Sequence, residues 1–225
     1  MFPIGDDEVR GAGPGLVTIG LIVINTLIFL YEASLSANAQ NQFITQYGVI
    51  PAEIVNGQDL YTLLTSMFLH GGWLHLIGNM LFLWVFGDNI EAVLGHVGYL
   101  VFYLAGGLAA SAAHILFNTG SDIPSVGASG AIAAILGAYL VMFPKSRIKV
   151  LVFLGYRAGV TRVTALVFLG IWAVTQLFNG IASLGTPTAQ TSGVAFWAHI
   201  GGFVLGLAGG IVFRSSSIRL ARDPN

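Results

Sequence analysis

LGHVGYLVFYLAGGLAASAAHILF, residues 94–117, runs for twenty-four positions without a Lys, Arg, Asp or Glu. A helix that crosses a bilayer needs about 20 such residues. Working outward from this stretch, five more segments qualify as spans, near 15–34, 66–86, 127–143, 162–183 and 194–213. The fourth in chain order, from Gly127 to Pro144, is short and is expected to be surrounded by the other helices rather than by lipid. The composition agrees: 55% of the 225 residues are hydrophobic and 8% charged, against about 25% charged in soluble domains. So few charges could not cover a water-exposed surface of this size. The fold class read from the sequence is therefore all-α, a polytopic membrane bundle of six helices.

The nine Lys and Arg residues set the expected orientation. They are Arg10, Lys145, Arg147, Lys149, Arg157, Arg162, Arg214, Arg219 and Arg222. With six spans, all fall on the side that carries both termini or at its edge, and the opposite connections (about 35–65, 118–126 and 184–193) hold none. The positive-inside rule places that side in the cytoplasm. Residues 1–14 read as a short cytoplasmic segment, 15–214 as one six-helix domain, and 215–225 as a cytoplasmic tail. The acidic, Gly/Pro-rich start MFPIGDDEVRGAGPG lacks the positive region of a cleavable signal, so the first span is expected to be retained. The segment 146–160 mixes apolar residues with charge and is expected along the cytoplasmic surface. The long first outer connection is expected to carry local helices. The absence of cysteine excludes disulfides and thiolate metal sites. A formal charge of -1 without a basic stripe gives no reason to expect nucleic acid.

Polar groups are costly within spans and need an explanation. His75 and Asn79 stand four apart on the second span, on one helical face. Ser129 opens the fourth, in Gly127-Ala128-Ser129-Gly130, and His199 lies five residues into the sixth. Spans two, four and six all run inward from the outer face. At about 1.5 Å per residue the four residues can share one layer below that face. The chemistry that fits is acyl transfer. A serine hydroxyl needs a base to take its proton, and histidine suits that work. The developing oxyanion needs donors, which free N–H groups at a helix start, Asn79 and His75 can supply. None of the ten acidic residues stands at this depth beside His199, so a Ser–His dyad is expected, with the imidazole held by packing. Taken alone, Gly-Ala-Ser-Gly is a common packing patch of membrane helices. His70, His96 and His114 read as structural or interfacial groups.

The order His70-x4-His75-x3-Asn79, Gly127-Ala128-Ser129-Gly130, then Ala198-His199-Ile200-Gly201-Gly202-x3-Gly206 resembles the rhomboid family of intramembrane proteases, over about residues 60–215. The resemblance implies a six-helix core with a water-filled cavity open to the outside. It implies Ser129 as nucleophile, His199 as general base, and His75, Asn79 and the Ser129 N–H as the oxyanion hole. It further implies Glu91 as a structural acid, and Gly202 and Gly206 as the glycines that pack span six on span four. Two positions depart from the family pattern. Tyr61-Thr62 stand where members often have Trp-Arg. Ala133 stands where many have an aromatic that stacks on the histidine, so either Trp197 or Phe196 packs there or His199 is less firmly held.

The function this implies is hydrolysis of peptide bonds in or near transmembrane helices of membrane proteins, in contact with lipid and without metal or cofactor. A bacterial plasma membrane is the expected location, and a lateral opening near span five the expected entry. The alternative is a catalytically silent member that binds transmembrane helices. A transporter would spread polar residues through the whole depth. His-Glu-x-x-His and facing aspartates, the marks of other membrane proteases, are absent.

Overall fold

The computed structural model describes residues 2–6, 15–154, 157–184 and 195–222. The expected outer connection near 184–193 lies outside these residues except for Leu184, as do residues 7–14. Helix α1 covers Leu16–Ser34. Three short helices follow: α2 (Ala37–Tyr47), α3 (Pro51–Val55) and α4 (Thr62–Thr65). Helix α5 covers Trp73–Phe117, α6 Ser129–Met142, α7 Ala165–Ser183 and α8 Phe196–Arg222. The segment 215–222, read from sequence as tail, thus continues a helix. Among the described residues four helices are long and apolar enough to cross a membrane: α1, α5, α7 and the 196–214 part of α8. The chain is a membrane protein.

The 45-residue helix α5 is interrupted at Gly95, whose φ of 70° and ψ of 165° suit glycine alone. His75 and His114 line one cavity although 39 positions separate them. A straight helix would hold them nearly 60 Å apart, at about 1.5 Å per residue, so the chain doubles back at Gly95. Each arm, 73–94 and 96–117, has 22 residues, about 33 Å of helix.

Glu91 sits in this turn and is buried. It accepts hydrogen bonds from the N–H groups of Val17 and Thr18 and from the Thr18 hydroxyl, each at 2.8 Å. His96 Nδ1 lies 2.5 Å from Oε1, the oxygen that the Val17 N–H also bonds. A carboxylate here satisfies the open N-terminus of α1 and meets its dipole favourably. Burial works against the charge, but these hydrogen bonds outweigh it and hold the Glu91 carboxyl below its ordinary range.

Helix α6 is the centre of the bundle. Every residue from Gly130 to Tyr139 is buried, among α5, α7 and α8. That is why it can be short and uniformly apolar. A sheet departs from the all-α expectation. Strands β2 (Arg147–Leu154) and β3 (Arg157–Thr164) pair antiparallel, and β1 (Phe2–Gly5) adds to the other edge of β2, giving the order β1-β2-β3. The reason lies in a two-residue alternation: Ile148 and Val150 are fully buried while Arg147 faces out. A mixed apolar and charged segment is a half-buried strand as readily as a surface stretch. Asp6, just after β1, accepts from the Tyr139 hydroxyl and from Asn89 Nδ2, and so ties the sheet to α6 and α5.

Candidate active site

Ser129 is the first residue of α6, and its position is fixed by the loop before it. The Gly127 N–H donates to the Ser66 carbonyl at 2.9 Å. Gly127 takes φ 132°, and a Cβ there would stand 2.7 Å from His75 Nε2. Only glycine allows both the backbone turn and the approach of the His75 ring.

His199 lies one turn into α8. The two helices meet through glycine. A Cβ on Gly202 would run into the Gly130 carbonyl oxygen, and one on Gly206 into the Ala134 carbonyl oxygen. The backbones therefore touch, in the small-residue packing typical of membrane helices. This contact brings Ser129 Oγ to 2.8 Å from His199 Nε2. The other ring nitrogen, Nδ1, lies 2.7 Å from Gln176 Oε1 of α7.

Both residues open onto a cavity of about 940 Å³, which His75, Asn79, His114, Trp172 and Trp197 also line. Asn79 is buried and its Nδ2 has no hydrogen-bond partner. A buried unpaired donor is costly, and this one belongs to a residue that lines the cavity holding Ser129. His75 Nδ1 accepts only a long bond, 3.4 Å, from the Gly71 N–H.

Ser129, His199, His75 and Asn79 are thus brought together around one cavity. Glu91 is not; it lies at the far end of the arm, in the α1 contact. His70, read from sequence as structural or interfacial, is fully buried and packed edge-on to His75 with ring centroids 5.1 Å apart. His114 lines the cavity, 3.4 Å from Asn118 Nδ2.

The packing expected around His199 needs correction. Trp197 stacks on Phe117, with centroids 3.7 Å apart, and not on the histidine. Ala133 is fully buried where α8 comes closest, 3.4 Å from a Cβ on Gly202. Among the described residues the aromatic ring paired with His199 is Trp172 of α7, at 5.9 Å and tilted by 35°. Sequence reasoning missed both Trp172 and Gln176. Gln176 did carry a signal, since a long polar side chain in an apolar span asks for a partner. Tyr61 and Thr62 anchor the first outer connection in their own way. The Tyr61 hydroxyl donates to the Gln46 carbonyl at 2.9 Å, and the Thr62 hydroxyl to the Asp59 carbonyl at 2.7 Å.

The family model described as Rhomboid domain matches residues 57–216, which include Ser129, His199, His75, Asn79 and Gln176. The chain belongs to the rhomboid family. Among curated proteins, "Rhomboid protease GluP" of Bacillus subtilis is 28% identical over 193 residues, 80% of this chain and 37% of that protein. "Presenilin-associated rhomboid-like protein A, mitochondrial" of Danio rerio is 27% identical over 187 residues, 80% of this rhomboid and 48% of the relative. "RHOMBOID-like protein 4" of Arabidopsis thaliana is 32% identical over 168 residues, 75% and 38%. The chain spans less than half the length of these relatives.

Proposed function

We propose that this rhomboid-family chain is an intramembrane serine endopeptidase that cuts transmembrane proteins in or near their membrane helices. The observation that carries the reading is the 2.8 Å contact of Ser129 Oγ with His199 Nε2, beside a cavity that Asn79, whose Nδ2 is unpaired, also lines. His199 takes the hydroxyl proton as Ser129 Oγ attacks the scissile carbonyl carbon. The carbonyl oxygen becomes an oxyanion, held by Asn79 Nδ2, His75 and the N–H groups at the start of α6. His199 then gives its proton to the departing amine, and water releases the acyl group from Ser129 by the same steps. The residues named supply a complete acid–base and electrostatic set, so the reaction asks for no metal or cofactor. A helical substrate has its carbonyls bonded internally, so helix-weakening residues at the cut are expected.

The same reading has six crossings, with α5 supplying two and α6 one. The Lys and Arg distribution puts the N-terminal segment and the sheet on the cytoplasmic side, with the cavity facing the opposite side, in a bacterial plasma membrane. The test is purified protein in liposomes with a single-span reporter. Cleavage that is lost in Ser129→Ala, together with fluorophosphonate labelling of Ser129 that is lost in His199→Ala, supports the proposal. Reporter binding with no turnover by the unaltered protein refutes it, and would mark a silent helix-binding member.

A further inference from the structure

A base that must accept a proton at Nε2 has to carry its own proton at Nδ1. In the neutral ring the two tautomers compete, and what Nδ1 faces decides between them. Serine hydrolases commonly place a buried carboxylate there. Among the described residues no carboxylate is bonded to His199. Its Nδ1 meets Gln176 Oε1 at 2.7 Å, a short distance with a carbonyl oxygen as acceptor. Gln176 is seven positions before the end of α7, about 10 Å in at 1.5 Å per residue. His199 is in the second turn of α8, and α7 packs directly on α8. On its other side the ring has Trp172, one turn before Gln176 on the same helix. One face of α7 thus supplies both the ring contact and the Nδ1 acceptor.

We propose that Gln176 is a positioning residue for the His199 base. Its amide oxygen holds the proton on Nδ1, leaves Nε2 free towards Ser129, and fixes the ring plane. A neutral acceptor suits this depth. A carboxylate would have to be ionised to do better, and an ion in a low-dielectric site is costly unless paired. Gln176 also explains how an imidazole without a stacking aromatic at position 133 keeps one orientation. The proposal rests on the protease reading above and adds to it which group selects the tautomer.

The test compares Gln176→Met, which keeps length and volume but removes the acceptor, with Gln176→Glu, which keeps an acceptor oxygen. Both are measured in liposomes for kcat and KM on a single-span reporter and for thermal stability. A third readout is ¹⁵N NMR of histidine-labelled protein, in which His199 should show a protonated Nδ1 and a bare Nε2. Gln176→Met is expected to lower kcat on the order of ten- to a hundred-fold. Its KM should stay within two-fold and its stability close to the parent, while the His199 ¹⁵N pattern shifts towards mixed tautomers. Gln176→Glu should restore most of kcat and the single-tautomer pattern. Unchanged kcat and ¹⁵N pattern in Gln176→Met overturn the inference while leaving the Ser–His reading intact. A fall in kcat matched by a fall in stability with an unmoved ¹⁵N pattern also overturns it, since that is a packing effect. Failure of the unaltered protein to cleave at all instead sinks the protease reading.

Discussion

Replacing Gly202 by Ala adds one methyl group at the closest approach of α8 to α6. The new carbon would fall on the Gly130 carbonyl oxygen, 3.1 Å from its carbon and 3.4 Å from Ala133 Cβ. Backbone atoms cannot swing aside as the end of a side chain can, so the helices must part by about 1 Å to restore normal contact. Gly130 is next to Ser129, and Gly202 is three residues from His199. The displacement therefore passes almost undiminished to the 2.8 Å pair of Ser129 Oγ and His199 Nε2. A hydrogen bond stretched past 3.5 Å is no longer one, and a misplacement of about 1 Å costs on the order of a hundred-fold in rate. A hundred-fold is about 2.7 kcal/mol of barrier. The assay is kcat on a reporter helix in liposomes, with thermal stability read in parallel. Gly170→Ala is the control, because a Cβ there meets nothing within 4 Å, and it should leave kcat unchanged. A folded Gly202→Ala protein with parental kcat would refute the reasoning that glycine contact sets the Ser129–His199 distance.

The other expectations concern single groups. Asn79→Ala removes the unpaired donor and should lower kcat by on the order of 10²–10³ with little change in KM; kinetics within two-fold of the parent would remove Asn79 from the oxyanion site. Glu91→Gln should destabilise the fold by about 1.5–3 kcal/mol through weakened bonds to Val17 and Thr18, read as a lower unfolding temperature. Because the folded-state pKa of Glu91 lies below its unfolded value of about 4.3, its contribution is complete above that value and fades as pH falls through the folded one. The gap in unfolding temperature between parent and Glu91→Gln should therefore close in acid, and a gap that persists there contradicts the assignment. Tyr139→Phe removes the bonds to Asp6 and to Ser146 Oγ, the latter 2.9 Å long. It should cost about 1–2 kcal/mol of stability without changing kcat, since it lies at the sheet end of α6.

The membrane class was open to reading because it depends on composition over long windows, and long apolar stretches with at most one charge each cannot be hidden by local detail. The serine and histidine of the site were legible for a related reason: each polar group in an apolar span stands out against its neighbours. The sheet was not legible. Ile148 and Val150 alternate with charge over too few residues to separate a strand from a surface stretch, and strand β1 lies more than 140 positions away in sequence.

What the sequence determined by itself is the list of polar residues in apolar segments, the side that carries positive charge, and the glycines that permit close packing. These are properties of each residue in its own window. Tertiary structure alone decided which side chain faces the second nitrogen of His199. Ala133, Trp197 and Phe196 are near it in motif or sequence, yet Gln176 and Trp172 stand beside it. The reason is physical: α7 reaches His199 by helix–helix packing, and the contact depends on helix rotation that no spacing within one segment encodes.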